Sequence, residues 1–378
     1  MSIRVDADFI VGAAANDRIS PSFRYREFQS AGVGDAPRLH LDLVSALQQL
    51  RERFGSAIRV RSLVPGNAPE PTVEGLFVWV SASGLDDLER GAAELAAAGY
   101  FSTTARTGNR VYIAVSPGLA PPLSTDAALD GAVRVTAAFE TSGDPYQQVT
   151  GNFDGAGLSF GPAQINFGTG TLPPVFDTMR STDEAALRSC FGTDYDQWLD
   201  VLASPRSKQV AWADALSRGA NKAGFAQPWK GYLQAVGRTP AFQAVLIESA
   251  KTKYGAKMRR ALGQLRDLAP DIVVDRQRCV AALYDLCTQQ GSLDKALDNI
   301  AARVAAERPE DQRTLVRIAV FERGATATTK YRADCISRRL SILDRVPVRV
   351  EHSGHVARRS NRNLWLIRTV AVSGLESL

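Results

Sequence analysis

Apolar residues recur at two different periods in this chain, and the change of period divides it. Leu43, Leu47, Leu50 and Phe54 step by three and four, which predicts an amphipathic helix. Ile58 and Val60 then alternate as in a strand, residues 76–80 form a second apolar strand, residues 85–98 a helix, and residues 111–115 a last strand. Far downstream, Ile247, Ala250, Tyr254, Met258, Ala261 and Leu265 return to helical spacing, with Lys251, Lys253, Lys257, Arg259 and Arg260 mostly on other faces. Val280, Leu283, Tyr284 and Cys287 repeat the stripe, and further helices are predicted at 293–307, 310–323 and 328–343. Val346, Val348 and Val350 alternate again and, with residues 364–367, predict a hairpin that closes the domain.

Between the two patterns lies residues 116–127, SPGLAPPLSTDA, where Pro117, Pro121 and Pro122 interrupt helix and strand alike. A domain boundary is expected there, giving residues 1–118 and 128–378. The fold class is then α+β: a small α+β N-terminal domain followed by a mainly α-helical C-terminal domain. A chain of 378 residues with 45% apolar and 22% charged side chains has the material for two cores and is not disordered by composition.

Candidate chemistry concentrates in residues 137–170. Glu140 follows an apolar helical run, and Asp154 comes fourteen residues later in a loop rich in Gly, Asn and Ser. Two carboxyl groups in unlike surroundings suit glycosidic bond cleavage, which needs one acid kept protonated by apolar burial and one left ionised in a wetter place. The bland reading makes Glu140 a helix-end carboxylate before a Ser-Gly stop and Asp154 a turn residue. Gln164 and Asn166 fit loop-closing hydrogen bonds as well as sugar contacts. No GxxxxGK[ST], HExxH or GxSxG motif occurs in the chain.

The run from Asp154 through Ser159 to Gly170, DGAGLSFGPAQINFGTG, resembles the active-site loop of glycoside hydrolase family 46 chitosanases, which carry an aspartate, Gly-x-Gly-x-Thr-x-Gly and a later Gly-Thr-Gly. FGPAQIN is also similar to the Gly-x-x-Gln-x-Asn element of the wider lysozyme superfamily. The resemblance implies a lysozyme-like domain over about residues 128–345, with Glu140 as general acid, Asp154 as the base that activates water, and Ser159 where the family has a water-holding threonine. Asn152, Gln164 and Asn166 become substrate contacts. Asp285 and Asp334, with Arg338 and Arg339, resemble the family's ion-pair network bracing the acid; surface helix charge is the alternative. In the family the two acids stand further apart in sequence, so the intervening loop is shortened here. An inverting enzyme keeps its carboxyls roughly 6.5–9.5 Å apart, which a helix-borne Glu140 facing a loop-borne Asp154 can span. With Asp154 turned away, Glu140 would act alone, as in single-glutamate lytic transglycosylases.

The N-terminal stretches RISPSFRYREFQSAG and LHLDLVSALQQLRERFGSAIRVRSL resemble the opening of zinc D-alanyl-D-alanine carboxypeptidases. Aligned on Gly75, that family's zinc ligands fall on Thr72, Trp79 and Tyr112, none a usual zinc donor. The resemblance therefore implies a metal-free relic, serving either to bind wall peptides or as packing, and no metal or other cofactor is expected. Residues 76–115 also faintly resemble a SPOR module, another wall-binding unit.

A net charge of +5 favours an anionic partner, and Arg345, Arg349, Arg358, Arg359, Arg362 and Arg368 crowd the tail. Charge alone admits nucleic acid, an acidic membrane face, an anionic cell wall or a merely solvated basic face. Taken with the resemblances, it selects peptidoglycan glycan strands and not nucleic acid. Chitosan, a polycation, is the competing substrate, and a non-catalytic wall-binding protein is the reading from another class. No run reaches the roughly 18–20 apolar residues of a membrane span, and residues 9–15 lack the basic flank of a signal peptide. The expectation is a protein made in the cytoplasm that acts in the periplasm or wall, as a phage endolysin or a delivered antibacterial effector with an immunity protein or secretion component as partner. Cys279 and Cys287, eight apart on one helix and so about 12 Å along its axis, are too distant for a disulfide.

Overall fold

A computed structural model of the chain describes residues 4–6, 8–29, 37–63, 76–116, 120–139, 143–162 and 164–378. It is mostly helical with small sheets, a mixed α+β protein, and it divides into two compact units. One unit joins residues 1–135 to 257–377, and the other holds residues 136–256 with Leu378. Leu123 and Ser124, just past the proline-rich stretch, belong to the first unit. There Leu123–Ser124 runs parallel to Val372–Ser373.

In the first unit, a four-stranded antiparallel sheet has the order Arg59–Ser62, Phe77–Ser81, Arg110–Ala114, Thr103–Thr107. Strand Phe77–Ser81 is buried throughout, so its two faces serve two clusters. Val78 and Val80, with Val111 and Ile113 of the neighbouring strand, pack on the main core with Leu43, Leu47 and Leu50 of helix Leu41–Phe54 and Leu88 of helix Leu85–Ala97. Phe77, Trp79 and Tyr112 form the other cluster, with Trp79 directly opposite Tyr112 in register and their rings 5.2 Å apart. That side-by-side packing is what these residues do in a sheet. Thr72 and Gly75 of the carboxypeptidase-like alignment lie outside the described residues, and among the described residues no cluster of His, Cys, Asp and Glu could hold a metal ion.

Helix Leu41–Phe54 is closed at both ends by its own sequence. His40 is the N-cap, its Nδ1 accepting the Asp42 N–H at 3.1 Å, and Gly55 stops the helix at φ 73°, a left-handed conformation natural to glycine. Burial pushes the His40 imidazole below its ordinary value, against the pull of Asp42.

The helices of residues 277–344 belong to the same unit. Helix Gln277–Gln290 is buried at every position from Gln277 to Cys287, as befits a central helix enclosed on all sides. Helices Gln312–Ala325 and Arg332–Asp344 pack against it. The predicted tail hairpin is present but shorter and more local, Arg349–His352 with His355–Arg358, and the 364–367 stretch contributes the 3-10 turn Leu364–Leu366 instead of a strand.

Two of the six tail arginines are internal. Arg345, 5% exposed, donates to Asp42 Oδ1 at 2.7 Å, to Leu41 O at 2.8 Å and to Ser45 Oγ at 2.5 Å. Thr369 adds its N–H and hydroxyl to the Asp42 carboxylate. Burial would raise the Asp42 carboxyl, but Arg345, His40, Thr369 and Arg368 outweigh it and hold it below the ordinary value. Arg368 lies over the Tyr100 ring and donates to Gly99 O at 2.6 Å. Arg278 makes a forked pair with Asp8 at 2.5 and 2.7 Å. The basic tail is thus partly a set of buried ties within this unit and not only a solvated face.

The second unit is built on aromatic packing. Helices Leu172–Phe191, Tyr195–Ala203, Arg206–Leu216 and Trp229–Arg238 surround a buried set of rings. Phe176 and Phe191 stand 5.0 and 5.2 Å from Trp198, and Trp212 stands 5.1 Å from Trp229. This core supports a three-stranded antiparallel sheet, Val149–Thr150, Ser159–Phe160 and Ile165–Asn166, with the middle strand second in sequence.

Candidate active site

The short sheet has one apolar and one polar row. Val149, Phe160 and Ile165 are register partners and all buried, and Phe160 stacks on Phe242 at 5.2 Å. Thr150, Ser159 and Asn166 are the other set of partners. Directly opposed residues of an antiparallel pair share a face, so these three line up across the sheet. Ser159 is only 2% exposed, whereas Thr150 and Asn166 are partly open. Thr150 escapes a reading confined to the 154–170 motif, although its alternation with Val149 was available as a signal.

Between the first two strands runs the loop that carries Asp154, fastened by a chain of polar contacts. Gly151 N–H donates to Ala223 O at 3.1 Å and Gly168 N–H to Ala156 O at 2.8 Å. A side chain at Gly151 would meet the Lys222 and Gly224 carbonyl oxygens at 2.4 Å, so only glycine allows this approach. Asn152 is the central clamp. Its N–H donates to Ser217 Oγ at 2.8 Å, its Nδ2 to Asp214 Oδ1 at 2.6 Å, and its Oδ1 accepts from Gly157 N–H at 2.7 Å. Asp214 also takes Lys222 Nζ at 2.6 and 2.9 Å, and the Lys222 and Asn152 hydrogen bonds hold its carboxyl below the ordinary value.

Asp154 itself is exposed. One carboxylate oxygen accepts the Ala156 N–H at 3.0 Å, and the other has no hydrogen-bond partner among the described residues. Glu140 lies outside the described residues.

The expected sugar contacts spend much of their bonding capacity inside the protein. Asn152 is committed at both ends of its amide. Asn166 Oδ1 accepts from Thr169 N–H and Oγ1 at 2.7 and 2.8 Å, while its Nδ2 donates to Gln164 O at 3.1 Å. Gln164 takes φ 48° and donates its Nε2 to Gly161 O at 3.2 Å. For Gln164 and Asn166 the loop-closing role left open by the sequence is therefore occupied.

Among the expected bracing residues, Asp285 and Arg338 meet at 2.8 Å, with Arg339 at 3.4 Å from the other Asp285 oxygen, all three at most 2% exposed at their side chains. Burial pushes the Arg339 guanidinium below its ordinary value, against the pull of Asp285. Asp334 does not join this cluster; it pairs with Arg359 at 3.1 Å on a partly exposed face. It sits at the start of helix Arg332–Asp344, one turn from Arg338, and the chain returning after the hairpin brings it a different cation.

No family model and no curated protein matches the sequence. The chain is similar in structure to solved chitosanases. A native chitosanase from Bacillus subtilis MY002 matches 63% of this chain and 100% of its own at 12% identity and TM-score 0.35. A mutant of that enzyme complexed with six GlcN matches the same shares at 13% and 0.35. A GH46 chitosanase from Gynuella sunshinyii in complex with chitotetraose matches 63% of this chain and 99% of its own at 16% and 0.34. All three likenesses are to chitosanases, and none supports the carboxypeptidase-like reading of the N-terminal elements.

Proposed function

We propose that the chain is a glycosidase of amino-sugar polymers, acting on the glycan strands of peptidoglycan. The observation that carries this reading is Asp154: a solvent-exposed carboxylate on a loop clamped by Asn152, with one oxygen engaged and the other open among the described residues. A carboxylate so placed can take a proton from an attacking water while its backbone stays fixed. Glu140 would supply the proton to the leaving oxygen, and the carboxyl pair would work without metal or cofactor. The chain's charge of +5 suits an anionic wall better than polycationic chitosan.

Purified sacculi and chitosan, incubated with the full chain in heavy-oxygen water, test the reading. Soluble sacculus fragments carrying one heavy oxygen at a new reducing end are expected, with Glu140→Gln and Asp154→Asn each abolishing release. Anhydro ends would replace water attack by transglycosylation, and cleavage of chitosan alone would transfer the activity to that polymer. Release by both variants at the wild-type rate would refute the assignment of the carboxyl pair.

A further inference from the structure

Four large apolar side chains stand more than half exposed among the described residues: Phe153, Val273, Tyr331 and Val356. Phe153, at 54%, is the only one of them in residues 136–256, and it immediately precedes Asp154. Its exposure contrasts with the rest of that unit, where Phe160, Phe167, Phe176, Phe191 and Trp198 are at most 1% exposed. Nor does the ring sit on slack chain. Phe153 N–H donates to Gly151 O at 3.0 Å, and the preceding residue is the Asn152 clamp with its bonds to Ser217, Asp214 and Gly157. The loop therefore presents an exposed aromatic side chain on fastened backbone, one residue before the exposed Asp154.

We propose that Phe153 is a sugar-stacking residue that seats a pyranose ring next to Asp154; this rests on the glycosidase reading above. Phenylalanine has no polar tip, so it recognises the C–H face of a sugar and not its hydroxyls. Such faces are continuous where ring substituents are equatorial, as in β-1,4-linked amino sugars, and this is the substrate class the residue fits. Because the contact is apolar, it favours longer oligosaccharides without selecting their charge.

The test compares the full chain with Phe153→Ala, Phe153→Leu and Phe153→Trp on sacculi and on defined β-1,4-linked oligosaccharides. Alanine is expected to raise KM about tenfold with kcat within about twofold, an effect of the size of one aromatic contact. Tryptophan should restore KM, leucine should not, and all three variants should melt with wild type because the side chain is exposed. An alanine KM within twofold of wild type, or a leucine variant equal to tryptophan, overturns the proposal. Should wild type release no reducing ends, the glycosidase reading fails separately. Stacking is then read from co-sedimentation with sacculi, where loss of retention in Phe153→Ala supports it and equal retention overturns it.

Discussion

Replacing Asp285 by asparagine keeps the shape of the side chain and removes the negative charge that faces the buried Arg338 and Arg339 guanidinium groups. Arg338 and Arg339 are 2% and 0% exposed at their side chains, so neither gains water in compensation. Two unit charges near 4 Å interact by about 4 kcal/mol at an effective dielectric of about 20, and removing one partner of a buried pair costs about 3–5 kcal/mol because the other charge is left unmatched. Taking about 4 kcal/mol at roughly 2–4 °C per kcal/mol, the unfolding midpoint of the unit holding these residues should fall by about 8–16 °C. Thermal unfolding of the full chain, followed by circular dichroism, measures it. The cost belongs to the charge left on Arg339, so Asp285→Leu with Arg339→Leu should recover part of the loss. A drop under about 1 kcal/mol for the asparagine variant, or a double variant no better than it, would refute this reasoning.

Asn152→Ala removes two side-chain hydrogen bonds and frees the Asp154 loop; steady-state assays on sacculi should show kcat reduced about 10- to 100-fold, with about 1–2 kcal/mol lost in urea unfolding. The depressed His40 imidazole makes stability fall as pH drops below about 6.5, because the unfolded chain takes up the proton first. The depressed Asp42 carboxyl adds a second decline as pH falls through the carboxylate range toward its folded value. His40→Asn keeps an N-cap acceptor without a titrating ring and should flatten only the upper slope in pH-dependent melting. Cys279 and Cys287 are buried, with thiols pushed up to about 12, so a thiol reagent should modify at most Cys190 and Cys335 of the native chain and all four after denaturation.

Helices were legible where apolar residues recurred at steps of three and four. Leu43, Leu47 and Leu50 show this for helix Leu41–Phe54, and the 247–265 stripe marks part of the longer helix Pro240–Leu268. The strand Thr103–Thr107 left no such trace, because an edge strand of Thr and Arg buries too little to alternate. Helix Leu172–Phe191 went unmarked despite prolines in its first turn, a start signal that could have found it. Sequence pointed to the Asp154 loop in one unit and to the Asp285 and Arg338 pair in the other, since acid and base types announce themselves. It could not say that Asn152 is spent as a clamp or that Asp334 turns to Arg359, because those choices depend on which distant cation or donor the fold delivers. Arg345 and Arg368 read as tail charge for the same reason, their partners Asp42 and Gly99 lying hundreds of positions away.

That separation sets an order of events during synthesis. Asp42 emerges from the ribosome with Leu41 and Ser45, yet the guanidinium that neutralises it is 303 positions further on, and the Thr369 hydroxyl 327. Residues 136–256 are continuous and can collapse as soon as they are translated, whereas the Asp42 carboxylate, although its helix already has apolar partners before residue 116, stays hydrated until Arg345 has been made. Nascent chains halted before Arg345 should therefore be cut by protease within their first 135 residues more readily than the full chain, while the middle portion already resists.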